Sequence, residues 1–188
     1  MSKSQFKNTM FNVPTTQMIL GTMREGKPNF MALAWVTRVN FKPALFGIGV
    51  NKAHATHEAI LESKEFSLSL PSIKMVEVTD YTGLVSARKT DKSELFDLFY
   101  GELKSAPMIQ ECPLTLALKL HSTVDFPTNT LFIGELVESW CEESCLNEGK
   151  PDMTQIQPFT LTMPDNQFWA LGDKVGDAWN AGKSLKKS

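Results

Sequence analysis

No apolar stretch in this sequence runs beyond seven residues, and each is cut short by a polar residue or Pro. Residues 44–50 are representative, entered from Pro43 and ended by Asn51 and Lys52. A membrane-spanning helix needs roughly 18 or more such residues, so none is encoded here. Short runs of this length fit β-strands of about five to six residues instead. Phe66-Ser67-Leu68-Ser69-Leu70 alternates with period two and stops at Pro71, the pattern of a half-buried strand.

The same punctuation organises the rest of the chain. Residues 17–23 and 29–36 are strand-like runs on either side of Arg24-Glu25-Gly26-Lys27-Pro28, whose Gly and Pro suit a tight connection, and they predict a β-hairpin. The strand over 44–50 leads through Asn51-Lys52-Ala53-His54-Ala55-Thr56 into a short helix over 57–63, where Ala59 and Ile60 sit between Glu58 and Glu62. Residues 74–81 carry a weaker helical pattern and 83–93 read as a loop. Residues 114–120 and 130–138 resume the alternation as paired strands, and 175–181 form a terminal helical turn. With no internal repeat or composition break, residues 1–188 are expected to form one domain, mainly β with peripheral helices and barrel-like.

A hydrophobic fraction of 42% and a charged fraction of 21% provide for a buried core and exclude a disordered chain. Nineteen Lys and Arg against twenty-one Asp and Glu give a net charge of −2. That balance does not favour nucleic acid, so any anion must be recognised locally. The polar stretch over residues 1–12 has no apolar core of a signal peptide, which predicts a soluble, cytoplasmic protein. Cys112, Cys141 and Cys145 cannot pair completely and are read as reduced thiols.

Several motifs exclude chemistry. Gly47-Ile48-Gly49 precedes a helix as a dinucleotide fingerprint would, but Lys52 stands where the third glycine belongs and no βαβ series follows. Two strand glycines of this kind mark close packing or a bend. His54 and His57 have helical i, i+3 spacing without a third ligand at a metal-site spacing, so no metal is expected. No Gly-x-Ser-x-Gly occurs, and the sequence contains no recognisable catalytic triad. The junction Asn51 to Thr56 is more informative, because a helix start offers unpaired N–H groups and a positive dipole end to a phosphate. Arg88, Lys89 and Lys92, within the segment that starts at Ser86, add three cations in five positions. Together the two segments are suited to neutralising a phosphate dianion.

These residues, in this order, resemble the flavin reductase-like family with the FMN-binding split-barrel fold, especially its flavoredoxin-type branch. The resemblance spans nearly the whole chain. It rests on Asn29 to Trp35 followed by Pro43 and an apolar strand, on Asn51 to Thr56 before Ile60 and Phe66, and on Ser86 to Lys92. It closes on the aromatic and glycine-containing run FWALGDKVGDAW at 168–179. It implies a homodimer holding FMN non-covalently near the subunit interface, with NADH or NADPH as electron donor and a redox protein or free flavin as acceptor. Ala34, Trp35, Val36 and Thr37 would lie along the isoalloxazine. Asn51, Lys52, His54 and Thr56 would meet the ribityl phosphate, Ser86 and Lys92 would add contacts, and Trp169 would contribute from the C-terminal motif. The chain departs from the family pattern with Lys52 in place of a common arginine, Ala53 and Ala55 in place of bulkier residues, Ala87 for glycine and Ser93 for phenylalanine. Lysine is a point charge and cannot reproduce the bidentate arginine fork. The expected activity is FMN-dependent electron transfer, as a reductase or a carrier. A non-redox small-molecule-binding barrel and a purely structural protein are the alternatives, and neither predicts flavin-dependent turnover of a nicotinamide donor.

Overall fold

The computed structural model describes residues 1–5 and 13–185. The first half of the chain forms β1 (Thr15–Thr16), β2 (Met18–Arg24), β3 (Lys27–Leu33), β4 (Val36–Asn40), β5 (Leu45–Asn51), α1 (Ala55–Ser63), β6 (Glu65–Leu70) and α2 (Val76–Leu84). Then come β7 (Leu98–Phe99), β8 (Met108–Ile109), β9 (Leu114–Asp125), β10 (Asn129–Cys141), β11 (Leu146–Asn147), β12 (Lys150–Pro151), α3 (Met153–Ile156), β13 (Phe159–Thr162) and β14 (Gln167–Ala170). Residues 6–12, most of the polar N-terminal stretch, lie outside the described residues. No described helix is long and apolar enough to cross a membrane.

The predicted hairpin is β2–β3, turned by Glu25 and Gly26, both at positive φ, with Arg24 opposite Lys27. Pro28 is tolerated opposite Met23 because β3 is an edge strand and the Met23 N–H donates elsewhere, to the Ser105 carbonyl. The second apolar run does not continue to residue 36 as one strand. It breaks after Leu33, and Val36 opens β4.

That break closes the barrel. Seven strands are hydrogen-bonded in the order β3-β2-β6-β9-β10-β5-β4, so β3 and β4 are opposite edges of the sheet. Ala34 and Trp35 alone separate them in sequence, and the three steps from Leu33 to Val36 span at most about 11 Å. The end of β3 and the start of β4 therefore stand close together. Among the described strands no ladder joins β3 to β4, and the barrel is split there. Register shifts at Ile133/Gly134 and Leu136/Glu138 interrupt the long β9–β10 pair, and such bulges bend strands into a curled sheet.

The barrel interior holds Leu20, Met31, Leu33, Ile48, Phe66, Leu68, Leu118 and Phe132, with Ile60 of α1 packed against them. Ile19 and Phe30 point the other way, into a cluster with Phe96, Ile109 and Cys112 that Val78 of α2 helps cover. Both faces of β2 are thus buried, which is why its sequence is apolar without alternation. Outside the barrel, β1, β13 and β14 form a small sheet of their own. Of the terminal helical turn expected over 175–181, the end is present: residues 178–180 form a turn in which the Asp177 carbonyl accepts from the Asn180 and Ala181 N–H groups, and a 3-10 turn follows over Ala181–Leu185, while residues 171–177 are irregular and exposed.

Candidate functional site

A cavity of about 560 Å³ opens along the split between β3 and β4. Met31, Ala32 and Leu33 of β3 line it with Ala34 and Trp35, and Gly49 and Asn51 of β5 face them. Leu161, Asn166 and Phe168, from β13, β14 and their turn, supply another wall, and Gln17, His54, Asp80 and Asn129 add polar groups. Trp35 fixes the near wall. Its carbonyl accepts from the Gly49 N–H at 3.0 Å, and a Cβ on Gly49 would meet the indole Cε3 at 3.0 Å. Glycine at 49 lets the ring lie against β5, which is the close-packing reading of the Gly47-Ile48-Gly49 motif.

One end of this cavity is the β5–α1 junction. Asn51 Oδ1 accepts from the Ala53 N–H at 2.9 Å, and the Asn51 carbonyl accepts from the His54 N–H at 3.0 Å. His54 occupies the N-cap position of α1 but makes no side-chain cap hydrogen bond. The helix start is left to other partners. Thr56, in the first turn, is buried, and its Oγ1 accepts from Asn29 Nδ2 at 2.9 Å. The segment after α2 reaches this junction through Arg88, whose Nη1 donates to the Ala53 carbonyl at 2.7 Å and whose Nη2 lies 3.0 Å from Glu58. A second cavity, of about 340 Å³, lies here between the β2–β3 turn and residues 87–92, lined by Arg24, Lys27, Asn29, Arg88, Lys89 and Lys92 among others.

Electrostatics at the junction are set by burial and by cations. Lys92 is buried, and its ammonium donates to the Thr82 and Val85 carbonyls, at 3.0 and 3.1 Å, at the end of α2. Burial brings its pKa down to about 8. His54 is also held below the ordinary histidine value, first by burial and then by the positive charges of Lys92 and Arg88. It is a neutral imidazole near pH 7. His57 faces elsewhere, with Nε2 2.8 Å from Thr130 Oγ1 and its ring edge-on to Phe132. The two histidines therefore do not act as a pair, and the described residues contain no group of three or more metal-ligating side chains.

Of the residues singled out from the sequence, Ala34, Trp35, Asn51 and His54 line the split cavity, and Lys92 lines the second cavity. Thr56 sits behind the junction. Val36 and Thr37 continue along β4, and the side chain of Ser86 accepts the Arg88 N–H at 3.3 Å in its own turn. Lys52 leans away toward Asp125, 3.4 Å from its carboxylate. Trp169 donates to Thr162 Oγ1 at 2.8 Å, while its neighbour Phe168 is the aromatic that lines the cavity. Gln17, Asp80 and Asn129 were not singled out, because strand pairing and helix packing, not local spacing, bring them here; Arg88 stood out as one of the three cations after Ser86, and Asn29 and Phe168 within the runs that carry the resemblance.

Residues 10–160 match the flavin reductase like domain family. The chain belongs to the flavin reductase-like family. Among solved structures it is similar to the flavoredoxin of Methanosarcina acetivorans, at 49% identity and a TM-score of 0.96, covering 99% of this chain and 100% of that one. It is also similar to the flavoredoxin of Desulfovibrio vulgaris (Miyazaki F), at 33% identity and a TM-score of 0.89, covering 97% of this chain and 100% of that one. A ferric-chelate reductase (NAD(P)H) of Archaeoglobus fulgidus is 29% identical over 107 residues, 55% of this chain and 62% of that protein. The fold is accordingly the mostly β split barrel of that family, and the protein is a flavin reductase-like oxidoreductase.

Proposed function

We propose that this chain binds FMN non-covalently in the split of the barrel and uses it to move electrons from NADH or NADPH to a small flavin or a redox protein. One observation carries the reading: a cleft walled by Trp35 and Phe168 ends at a helix start flanked by Arg88 and Lys92. A flavin mononucleotide has the matching halves, a flat aromatic ring and a phosphate. The volume suits it too, since ligand pockets commonly run to about 300–1,000 Å³.

Ala34, Trp35, Val36 and Thr37 would hold the ring side, and Trp169 stiffens the β13–β14 hairpin behind Phe168. Asn51, His54 and Thr56 would hold the phosphate side with Ser86, Arg88 and Lys92. Lys52 can leave its exposed partner Asp125 for an anion at little cost, because such surface pairs are worth only about 0–1 kcal/mol. Held there by these residues, FMN would supply the hydride and electron-transfer chemistry that side chains lack. The protein's work is to orient the ring and keep bulk water from it, so the lack of a triad is no obstacle.

We also assign a homodimer and a cytoplasmic setting. Phe41 is 84% exposed, Trp179 96% and Phe126 51%, apolar surface that a second copy would cover. The three cysteines are free thiols, as a reducing compartment requires. The test is NADH and NADPH oxidation with and without added FMN. Oxidation that depends on FMN and on the protein supports the reading, and none with either donor contradicts it.

A further inference from the structure

We infer that Gln17 reads the carboxamide of the nicotinamide donor on the β13 side of the split cavity, and so sets a preference for an amide-bearing ring. The inference rests on the FMN reading and deepens it, because it names the group that the second ring presents. Gln17 joins β1 to β2, is only 2% exposed and lines the cavity. Its backbone N–H donates to the Phe159 carbonyl of β13 at 3.0 Å, and its Nε2 donates to the Met18 carbonyl at 3.1 Å. A carbonyl can only accept, so the Met18 contact fixes which end of the amide is nitrogen. Oε1 then accepts from no described group, and one Nε2 proton is left over. Polar groups this deeply buried are rarely left without partners, and the cavity beside them is where a partner enters.

The unused groups are an acceptor and a donor on one amide, and a second amide answers both at once. Its N–H donates to Oε1 while its carbonyl accepts from Nε2. Charge and position select among such partners. The cavity wall carries no Lys or Arg among the described residues, so nothing there answers a carboxylate in place of a carboxamide. Asn51 and His54 belong to the phosphate end at the β5–α1 junction, whereas Gln17 shares its wall with Leu161 and Phe168 of the β13–β14 hairpin. With FMN held along Ala34 to Thr37, that wall is the one a second flat ring would face. Leu161 and Phe168 supply apolar and aromatic surface for the ring, and Gln17 supplies the polar contact for its substituent. An amide set into such a wall discriminates, because a ring lacking the matching N–H leaves Oε1 buried and unanswered. The imide edge of FMN offers the same pair of groups, and the experiment separates the two sources.

The experiment titrates the FMN-loaded protein with oxidised NAD and with its oxidised acetylpyridine analogue, in which a methyl ketone replaces the carboxamide and the N–H is lost. Neither reacts with oxidised FMN, so the perturbed flavin spectrum reports binding alone. FMN affinity and thermal midpoints are measured alongside for the wild type, Gln17→Leu and Gln17→Met, the second matching glutamine in length. The wild type should bind NAD about tenfold more tightly than the analogue. Both variants should lose that difference by weakening NAD, with FMN affinity kept within about twofold and a cooperative thermal transition retained. FMN affinity falling in both variants while the preference for NAD persists would assign Gln17 to the flavin imide and overturn the inference, with the FMN reading intact. An unchanged preference in either folded variant would overturn it as well. So would a wild type that holds FMN and binds neither dinucleotide, whereas a wild type that holds no FMN overturns the FMN reading and the inference together.

Discussion

At the scale of single residues, the junction is governed by how far burial strips a cation of its charge. Lys92 has its pKa lowered to about 8 by burial, so in the free protein it is charged below that pH and neutral above it. A phosphate dianion prefers the charged form. FMN affinity should therefore hold to about pH 8 and then fall, by at most about tenfold per pH unit for one proton, while riboflavin affinity stays flat over the same range. Titrations between pH 6.5 and 10 check this, and parallel curves for the two ligands would remove Lys92 from the phosphate site. Stability follows the opposite sign. A lysine whose pKa is lowered on folding costs stability while protonated, so unfolding free energy should rise from about pH 8 toward 10.5, the window between its folded and ordinary values. Urea unfolding at pH 7.5 and 9.5, for the wild type against Lys92→Met, isolates that contribution.

At the scale of elements, Phe66 to Leu70 was legible as a strand because Phe and Leu alternate with Ser, although Ser67 and Ser69 are buried too and the strand is not half-exposed as expected. The β2–β3 hairpin was legible because Gly26 and Pro28 mark its turn and edge. The strand-to-helix junction was legible from its turn-forming residues, although no side chain caps α1 and the helix begins two residues earlier than expected, with Ala55 and Thr56 in its first turn. The break at Ala34 and Trp35 was not legible. Apolar character continues across it, and only β5, next to the edge on the far side of the sheet, decides that Val36 pairs with Ile48. The contacts of Asn29 with Thr56 and of Arg88 with Ala53 were hidden for the same reason, since the partners are 27 and 35 residues apart. The register shift beside Gly134 of β10, where the extra residue is His121 of β9, gives a prediction at this scale. A Cβ on Gly134 would lie 2.5 Å from Cζ of Phe66, a ring with no exposed surface. Gly134→Ala should destabilise the barrel by about 1–3 kcal/mol, read by chemical denaturation, and a wild-type midpoint would mean that Phe66 has room to move.

At the scale of the whole molecule, the closed sheet and the site share one cause: an edge-to-edge gap bridged by two residues leaves a cleft that strand pairing cannot fill. The irregular run after β14 leads to a turn that carries the exposed Trp179, and Phe41 and Phe126 are exposed elsewhere on the surface. Sedimentation equilibrium at micromolar concentration should return twice the 21.0 kDa chain mass, and substituting Trp179 and Phe41 with Ser should shift the balance toward monomer. The purified protein, reconstituted with excess FMN and passed through a desalting column, tests the central claim most directly through its visible spectrum and the chromophore released on denaturation. The account predicts a yellow protein that releases FMN at about one per chain. A colourless protein after reconstitution, or one that retains riboflavin as readily as FMN, would contradict it.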